Sequence, residues 1–290
     1  MGRGGLLLIL LAAMLWGTVG VSTRAIFTVS ETTALSVAFL RLALSVPVLG
    51  LASAAALGRR GFLVAPRDLM LMGAIGLMLA GYQLCYFEAI QRVGVAVAAL
   101  VTLCTAPVIV AVLSTLVLGE RLTRRSGVAA GCALLGTVLL VSPSGDAPLD
   151  GTALAGIAMA LGSALGYAVI TIVSRRIAGA YHPLTTVTVG FTSGAVLLLP
   201  ALLLDGPRLE YTATGWALLA YLGAVPTALA YLLFTVGMRT TAATVASLVT
   251  LVEPLTAAVL AWLLFAEQLG PLALAGAALL LGAVWLLARG

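Results

Sequence analysis

Runs of about twenty apolar residues follow one another along almost the whole chain, with only a few polar residues between most of them. A helical run of that length matches the roughly 30 Å of hydrocarbon in a bilayer, and lipid offers its backbone no hydrogen-bond partner, so each run must bond internally. Composition agrees: of 290 residues, 62% are hydrophobic and 9% charged, with a mean hydropathy of +1.19, outside the range of a soluble domain. The chain is therefore expected to be an all-α integral membrane protein with ten transmembrane helices. The runs cover about 6–27, 32–57, 69–91, 95–118, 125–142, 152–178, 183–204, 214–238, 242–265 and 269–288. Short loops make sequential neighbours antiparallel hairpins.

The longest polar break, "SPSGDAPLDG" from Ser142 to Gly151, divides the runs into two sets of five, residues 1–145 and 146–290. The sets are related. "LCTAPVIVAVLSTLVLGERL" (Leu103 to Leu122) aligns without a gap with "TLVEPLTAAVLAWLLFAEQL" (Thr250 to Leu269) at an offset of 147 residues, matching Pro107 with Pro254 and Glu120 with Glu267. "AAMLWGTVGVSTR" has a weaker counterpart in "GSALGYAVITIVSRR" at an offset near 150, where Phe191 takes the place of Arg41. Five is odd, so two joined copies lie upside down relative to each other in the membrane. Inverted five-helix repeats of this kind are the internal symmetry that many secondary transporters use for alternating access.

Arginine placement sets the orientation. With a cytoplasmic N-terminus, the inner side holds Arg3, Arg59, Arg60, Arg67, Arg121, Arg124, Arg125, Arg175, Arg176, Arg239 and Arg289, and the outer side only Arg24, Arg92 and Arg208. Both termini are expected in the cytoplasm. The first apolar run continues through Ile26 without a small-residue cleavage pattern, so it is taken as a span rather than a signal peptide, and Leu6 breaks the myristoylation pattern.

All fifteen basic residues are arginines, which excludes P-loop and Schiff-base lysines. Cys85, Cys104 and Cys132 lack the spacing of a zinc or disulfide framework, and His182 has no second histidine for a metal pair. Neither metal nor cofactor is expected, and no nucleic-acid partner.

In order, spacing and duplication, "LWG" in the first run, the arginine of "FLRLAL", "APVIVAVLSTLVLGERLT" and "EPLTAAVLAWLLFAEQL" resemble the drug/metabolite transporter superfamily, specifically its EamA-type ten-helix permeases. The turn Gln268-Leu269-Gly270 departs from the second basic turn often seen there. The resemblance implies a central cavity lined mainly by segments 1, 3, 4, 6, 8 and 9, and export of small molecules. It leaves the substrate open among amino acids, sugars, nucleotide sugars and cations.

An ionisable residue in mid-membrane is costly and so a functional candidate. Two lie near the centres of their spans, Arg41 and Glu253. Arg41 stays charged and needs a carboxylate, helix C-terminal carbonyls or an anionic substrate group. Desolvation can bring a carboxylate such as Glu253 into the range where it binds and releases protons, so it is the candidate coupling residue. Each also admits a structural role, Glu253 bonding backbone amides near Pro254 and Arg41 pinning its helix. Tyr82 and Tyr86 share a helix face with Gln83 adjacent, an aromatic strip suited to a zwitterion, an aromatic ring or a cation. Trp16, Tyr167 and Tyr231 complete the candidate substrate-binding set, with packing as the plain alternative. Pro107, Pro226 and Pro254 are candidate kinks that free backbone carbonyls for a cavity. Glu88 and Arg92, four residues apart, are assigned to an interfacial ion pair.

The expected function is export of small metabolites, amino acids or related compounds, across a bacterial cytoplasmic membrane by alternating access. The alternative is proton-coupled efflux of lipophilic or quaternary cations. A channel lacks a repeated filter or charged ring here, and an intramembrane enzyme would need a catalytic set that is not visible among the spans.

Overall fold

The computed structural model describes residues 3–58, 63–141, 151–206, 209–265 and 270–288, all helical or in short connections. Most of the mid-chain break, Ser142 to Asp150, lies outside the described residues, as do Arg59, Arg60, Arg208, Glu267, Gln268, Leu269 and Arg289. The helices are α1 (Arg3–Val29), α2 (Ala34–Leu57), α3 (Pro66–Leu113), α4 (Arg124–Val141), α5 (Gly151–Ile177), α6 (Pro183–Asp205), α7 (Ala213–Leu222), α8 (Ala230–Gly237), α9 (Ala243–Val249), α10 (Val252–Phe265) and α11 (Pro271–Ala288). Two π-helical segments extend them, Ser114–Leu118 after α3 and Gly223–Leu229 between α7 and α8. Among the described residues, eight helical stretches are long and apolar enough to cross a bilayer: Gly4–Val29, Ala34–Leu57, Pro66–Ile90, Val97–Leu118, Gly151–Ile177, Pro183–Asp205, Ala213–Gly237 and Ala243–Leu264. The 18-residue helices α4 and α11 pack on each other, Gly136 against Gly276 and Leu280.

Helix starts follow local chemistry. Thr33 caps α2 by accepting from the Ser36 amide, and Thr212 caps α7 by accepting from that of Gly215. His182, set aside above as a metal ligand, caps α6: its Nδ1 accepts from the Leu184 amide at 3.3 Å, with Pro183 at the first helical position.

The sequence predicts segments 3 and 4 as separate helices at 69–91 and 95–118, whereas α3 is helical throughout both. A straight helix of 48 residues would be about 72 Å long. Both ends of this one nevertheless meet the C-terminal end of α5, Asp68 through Tyr181 and Glu120 through Arg175, while Arg92 and Val93 pack on Gly156 at the other end of α5. The chain therefore folds back between the spans that end at Ile90 and begin at Val97, forming two arms against α5. Thr102 on the returning arm donates to the Ala160 carbonyl, and Gly166 on α5 would place a Cβ 2.8 Å from that of Tyr82 on the first arm.

Between helices in lipid the hydrophobic effect is weak, and close approach through small residues takes over. Gly17 is the sharpest case: a Cβ there would lie 2.5 Å from Thr256 Cβ and 2.8 Å from the Glu253 carbonyl, so α1 and α10 touch backbone to backbone. The best-buried large side chains, Phe191, Phe234, Leu79, Leu198 and Met238 among them, lie between helices, whereas Leu204, Leu116, Trp262 and Trp285 face outward as lipid-exposed residues do.

The prolines behave differently from one another. Pro107 sits inside continuous α3, and Pro226 sits in the π-helical turn, which absorbs its missing donor by widening the helix. Before Pro254 the helix breaks. Thr250 and Leu251 form a turn, Leu251 N and Glu253 N bond to carbonyls three residues back, and Pro254 falls in the first turn of α10, where its missing N–H costs nothing. Pro254, a candidate kink, stands four residues after Thr250, so the break falls at the carbonyl that its missing N–H leaves unclaimed, with Glu253 beside it.

Candidate functional site

Arg41, Tyr82, Tyr86, Tyr167 and Glu253 retain partial surface accessibility although they lie well inside their spans. They come from α2, both turns of the aromatic strip on α3, α5 and the start of α10. Tyr82 Oη lies 3.3 Å from Tyr231 Oη, and Tyr167 Oη lies 3.0 Å from Thr250 Oγ1 at the helix break. Arg41 is within electrostatic reach of both Glu253 and Tyr231, and Tyr86 and Tyr167 within that of Glu253. Among the described residues no ion pair within 4.0 Å joins Arg41 to Glu253. The two charges face one interior without neutralising each other directly.

One wall is aromatic and dry. Tyr231 is 7% exposed and packs between Trp16 (ring centroids 4.8 Å apart) and Phe191 (4.8 Å, edge to face), with Phe234 5.3 Å from Trp16. Such geometry adds orientation to the packing of large rings.

Several buried polar atoms here have no hydrogen-bond partner: Arg41 Nε, Trp16 Nε1, Gln83 Oε1 and Thr227 Oγ1. Buried polar groups are nearly always satisfied, so each of these atoms is able to take a further partner; Arg125 Nε, Ser163 Oγ, Thr186 Oγ1 and Thr241 Oγ1 elsewhere in the bundle share that property. Arg41 Nε and Trp16 Nε1 can only donate, and their side chains both adjoin Tyr231. Gln83 donates through Nε2 to the Leu79 carbonyl of its own helix at 3.2 Å, and its oxygen has no partner.

The structure thus places Trp16, Arg41, Tyr82, Tyr86, Tyr167, Tyr231 and Glu253 around one interior. Gln83 is buried on the same helix. Pro226 and Pro254 adjoin the site through the π-turn and the helix break, and Pro107 does not interrupt its helix. Arg92 pairs with Glu88 away from this interior. Sequence reasoning missed Phe191 and Phe234 as parts of the aromatic wall. It also missed that Tyr82 and Tyr231 stand 149 residues apart, close to the repeat offset, which was a usable signal. An indentation lined by Phe27 to Thr32 and Ala34 is a different place: it opens at the end of α1, about 17 Å along the helix from Trp16.

The model of the "EamA-like transporter family" matches twice, over residues 3–142 and 154–289. The uncharacterized transporter YwfM of Bacillus subtilis (strain 168) is 33% identical over 203 residues, 70% of this chain and 68% of its own length. An uncharacterized transporter of Archaeoglobus fulgidus is 32% identical over 199 residues, 69% of each chain. A protein of known crystal structure, 22% identical, superposes with a TM-score of 0.84 over 97% of this chain and 95% of that one, a likeness of fold. With two matches that together cover nearly all of its length, the chain belongs to the EamA-like transporter family.

Proposed function

We propose that this membrane transporter exports amino acids or closely related zwitterionic metabolites from a bacterial cytoplasm. The observation that carries the proposal is the placing of opposite charges around one interior: unpaired donors on Arg41 and Trp16 to meet a carboxylate, and Glu253 to meet an ammonium. Tyr82, Tyr86, Tyr167 and Tyr231 provide hydroxyls and ring faces between them. Glu253 is also the proton-coupling residue of the proposal, exchanging a proton when the ammonium is absent. The charged and titratable groups nearest to it are Arg41, Tyr86 and Tyr167.

In this reading α4 and α11 complete ten spans as the fifth and tenth, and residues 1–145 and 146–290 are inverted copies. The double family match and the meeting of Tyr82 with Tyr231 support it. The arginine bias supports cytoplasmic termini in this reading, in which the membrane is a bacterial inner membrane. A second reading, efflux of lipophilic or quaternary cations, draws support from the rings of Tyr86 and Tyr167 around Glu253, an arrangement that holds cations.

Flux into proteoliposomes, measured over a panel of amino acids and quaternary cations at several pH values, tests the proposal. Arg41→Ala is expected to reduce amino-acid flux roughly ten- to a hundredfold, the loss of a charge-assisted hydrogen bond, and to spare simple cations. Glu253→Gln is expected to remove the pH dependence. Equal damage to both substrate classes by Arg41→Ala, or unchanged pH dependence in Glu253→Gln, would return these residues to structural roles.

A further inference from the structure

The arginine-rich end of the bundle carries a second cluster, distinct from the central site. The Glu120 carboxylate accepts from the Ala243 amide at 3.0 Å (Oε2) and 3.2 Å (Oε1), and from Arg175 Nε at 3.4 Å. Helix α9 lacks a side-chain cap of its own, because Ala242 stands at its N-cap position. Glu120, 123 residues away in sequence, supplies the missing acceptor, and a carboxylate at a helix N-terminus is electrostatically favourable. Arg175 continues the cluster by donating to the carbonyls of Met238 (2.5 Å) and Arg239 (3.1 Å). Arg239 in turn donates to the carbonyls of Ala178 (2.8 Å) and Tyr181 (3.1 Å). The Tyr181 hydroxyl donates to Asp68 at 2.7 Å and accepts from the Ala65 amide at 3.2 Å; the bond to Asp68 raises its pKa, keeping it a donor at neutral pH. One connected set of bonds thus ties the two ends of the α3 hairpin to α5, the α5–α6 turn, the end of α8 and the start of α9.

The opposite end is held differently. There Ser30 and Thr32 meet Thr212 and Tyr211 through neutral hydroxyls, joining the α1–α2 turn to the start of α7, and the Glu88–Arg92 ion pair lies within one helix.

Helix α9 connects the charged cluster to the central site. Its seven residues are all buried; Thr244, near its start, bonds to Ser114 at 2.8 Å, and Thr250, at its end, holds Tyr167. It spans about 10 Å, so a shift at Ala243 reaches the Thr250 break and Glu253 without an intervening flexible segment.

We propose that Glu120 and Arg175 form a latch that closes the arginine-rich face of the transporter, and that release of the Glu120 cap moves α9 to open this face toward the central site. Glu120 and Arg175 are positioning residues: they act through α9 and touch no substrate. The proposal rests on the transporter reading for its meaning as a gate, but its test needs no substrate and so can fail separately from the amino-acid assignment.

The probe is a membrane-impermeant maleimide. The reporter is Ala246→Cys, a fully buried position between latch and site, in a background with Cys85, Cys104 and Cys132 changed to serine. Labelling rates are read from each membrane face in oriented vesicles. With the latch intact, labelling from the arginine-rich face is expected to be slow. Glu120→Gln is expected to speed it about tenfold from that face alone, the population shift that follows loss of a charge-assisted bond. Glu120→Asp should give an intermediate rate. Arg175→Gln leaves the α9 cap in place and is expected to give about a threefold increase; it serves as the second variant if Glu120→Gln does not remain monodisperse. Rates unchanged in these variants, or raised equally from both faces, would overturn the latch.

Discussion

The returning arm of α3 and the α9–α10 pair are built from nearly the same words, yet one is a continuous helix and the other is broken. Pro107 and Pro254 align at the 147-residue offset, so proline cannot explain the difference. What precedes it can. The broken copy carries Ser247 and Thr250, whose hydroxyls donate to the carbonyls of Thr244 (2.9 Å) and Ser247 (2.8 Å), three residues back in each case. At the matching positions the continuous copy has Leu100 and Leu103. Hydroxyls that bond to a preceding carbonyl compete with the helix ladder, and a proline four residues after Thr250 removes the amide that would have claimed the Thr250 carbonyl, which Glu253 N takes instead at 2.9 Å. Two hydroxyls bonded back along the helix accompany a proline at the break; the continuous copy has Thr102 and Thr105 before Pro107, and Thr102 donates to Ala160 of α5 instead. The break is also where Glu253 replaces Ala106, so polar backbone and the acidic side chain arrive at the same point.

The largest expected effect comes from making the broken copy resemble the continuous one. Ser247→Leu with Thr250→Leu removes both back-bonds and the hydroxyl that holds Tyr167. Hydrogen exchange of the amides of Leu251, Val252, Glu253 and Leu255 is expected to slow as the two helices join. Transport is expected to fall about a hundredfold, since a site displaced by an ångström or so loses that much. Unchanged exchange in a folded double variant would mean that Pro254 suffices after all.

Next in size is Gly17→Leu. The glycine lets α1 lie against the Glu253 carbonyl and Thr256, and a side chain would have to push the first turn of α10 away. Overpacking of this kind costs about 1–3 kcal/mol, read as a lower midpoint in thermal or detergent unfolding. Gly20 on the same helix has open space around it, and Gly20→Ala is the control, expected to leave that midpoint unchanged or slightly raised.

Much of this was legible in the sequence because lipid enforces it. Apolar runs of span length have to be helices, and Trp16, Arg41, Tyr82, Tyr86, Tyr167, Tyr231 and Glu253 stood out because aromatic and ionisable residues in mid-span are expensive or conspicuous. The aromatic wall was not legible, since Phe191 and Phe234 are unremarkable in an apolar run until Tyr231 is seen packed beside them. Nor was the part played by Glu120: the repeat picked it out, but its bond to Ala243 crosses 123 residues, and sequence spacing does not encode such a contact. The break at Thr250 was foreshadowed by its hydroxyls and by Pro254, whose missing amide would have bonded the carbonyl four residues earlier.

The smallest effects separate the two prolines themselves. Pro107 lies in the interior of α3, so Pro107→Ala supplies an amide that can bond to the carbonyl of Leu103; an interior proline is disfavoured relative to alanine by as much as about 3 kcal/mol, of which a native site adapted to it is expected to return about 1 kcal/mol. Pro254→Ala supplies an amide in the first turn of α10, where helix amides have no intrahelical acceptor, so its effect is expected to stay within about 0.5 kcal/mol. Unfolding midpoints of the two variants, measured side by side in the same detergent, give the comparison directly. A gain at Pro107 with none at Pro254 fits one proline inside a helix and the other at a helix start. Equal gains would mean that α9 and α10 join spontaneously once the amide is restored, and that Ser247 and Thr250 are bystanders to the break.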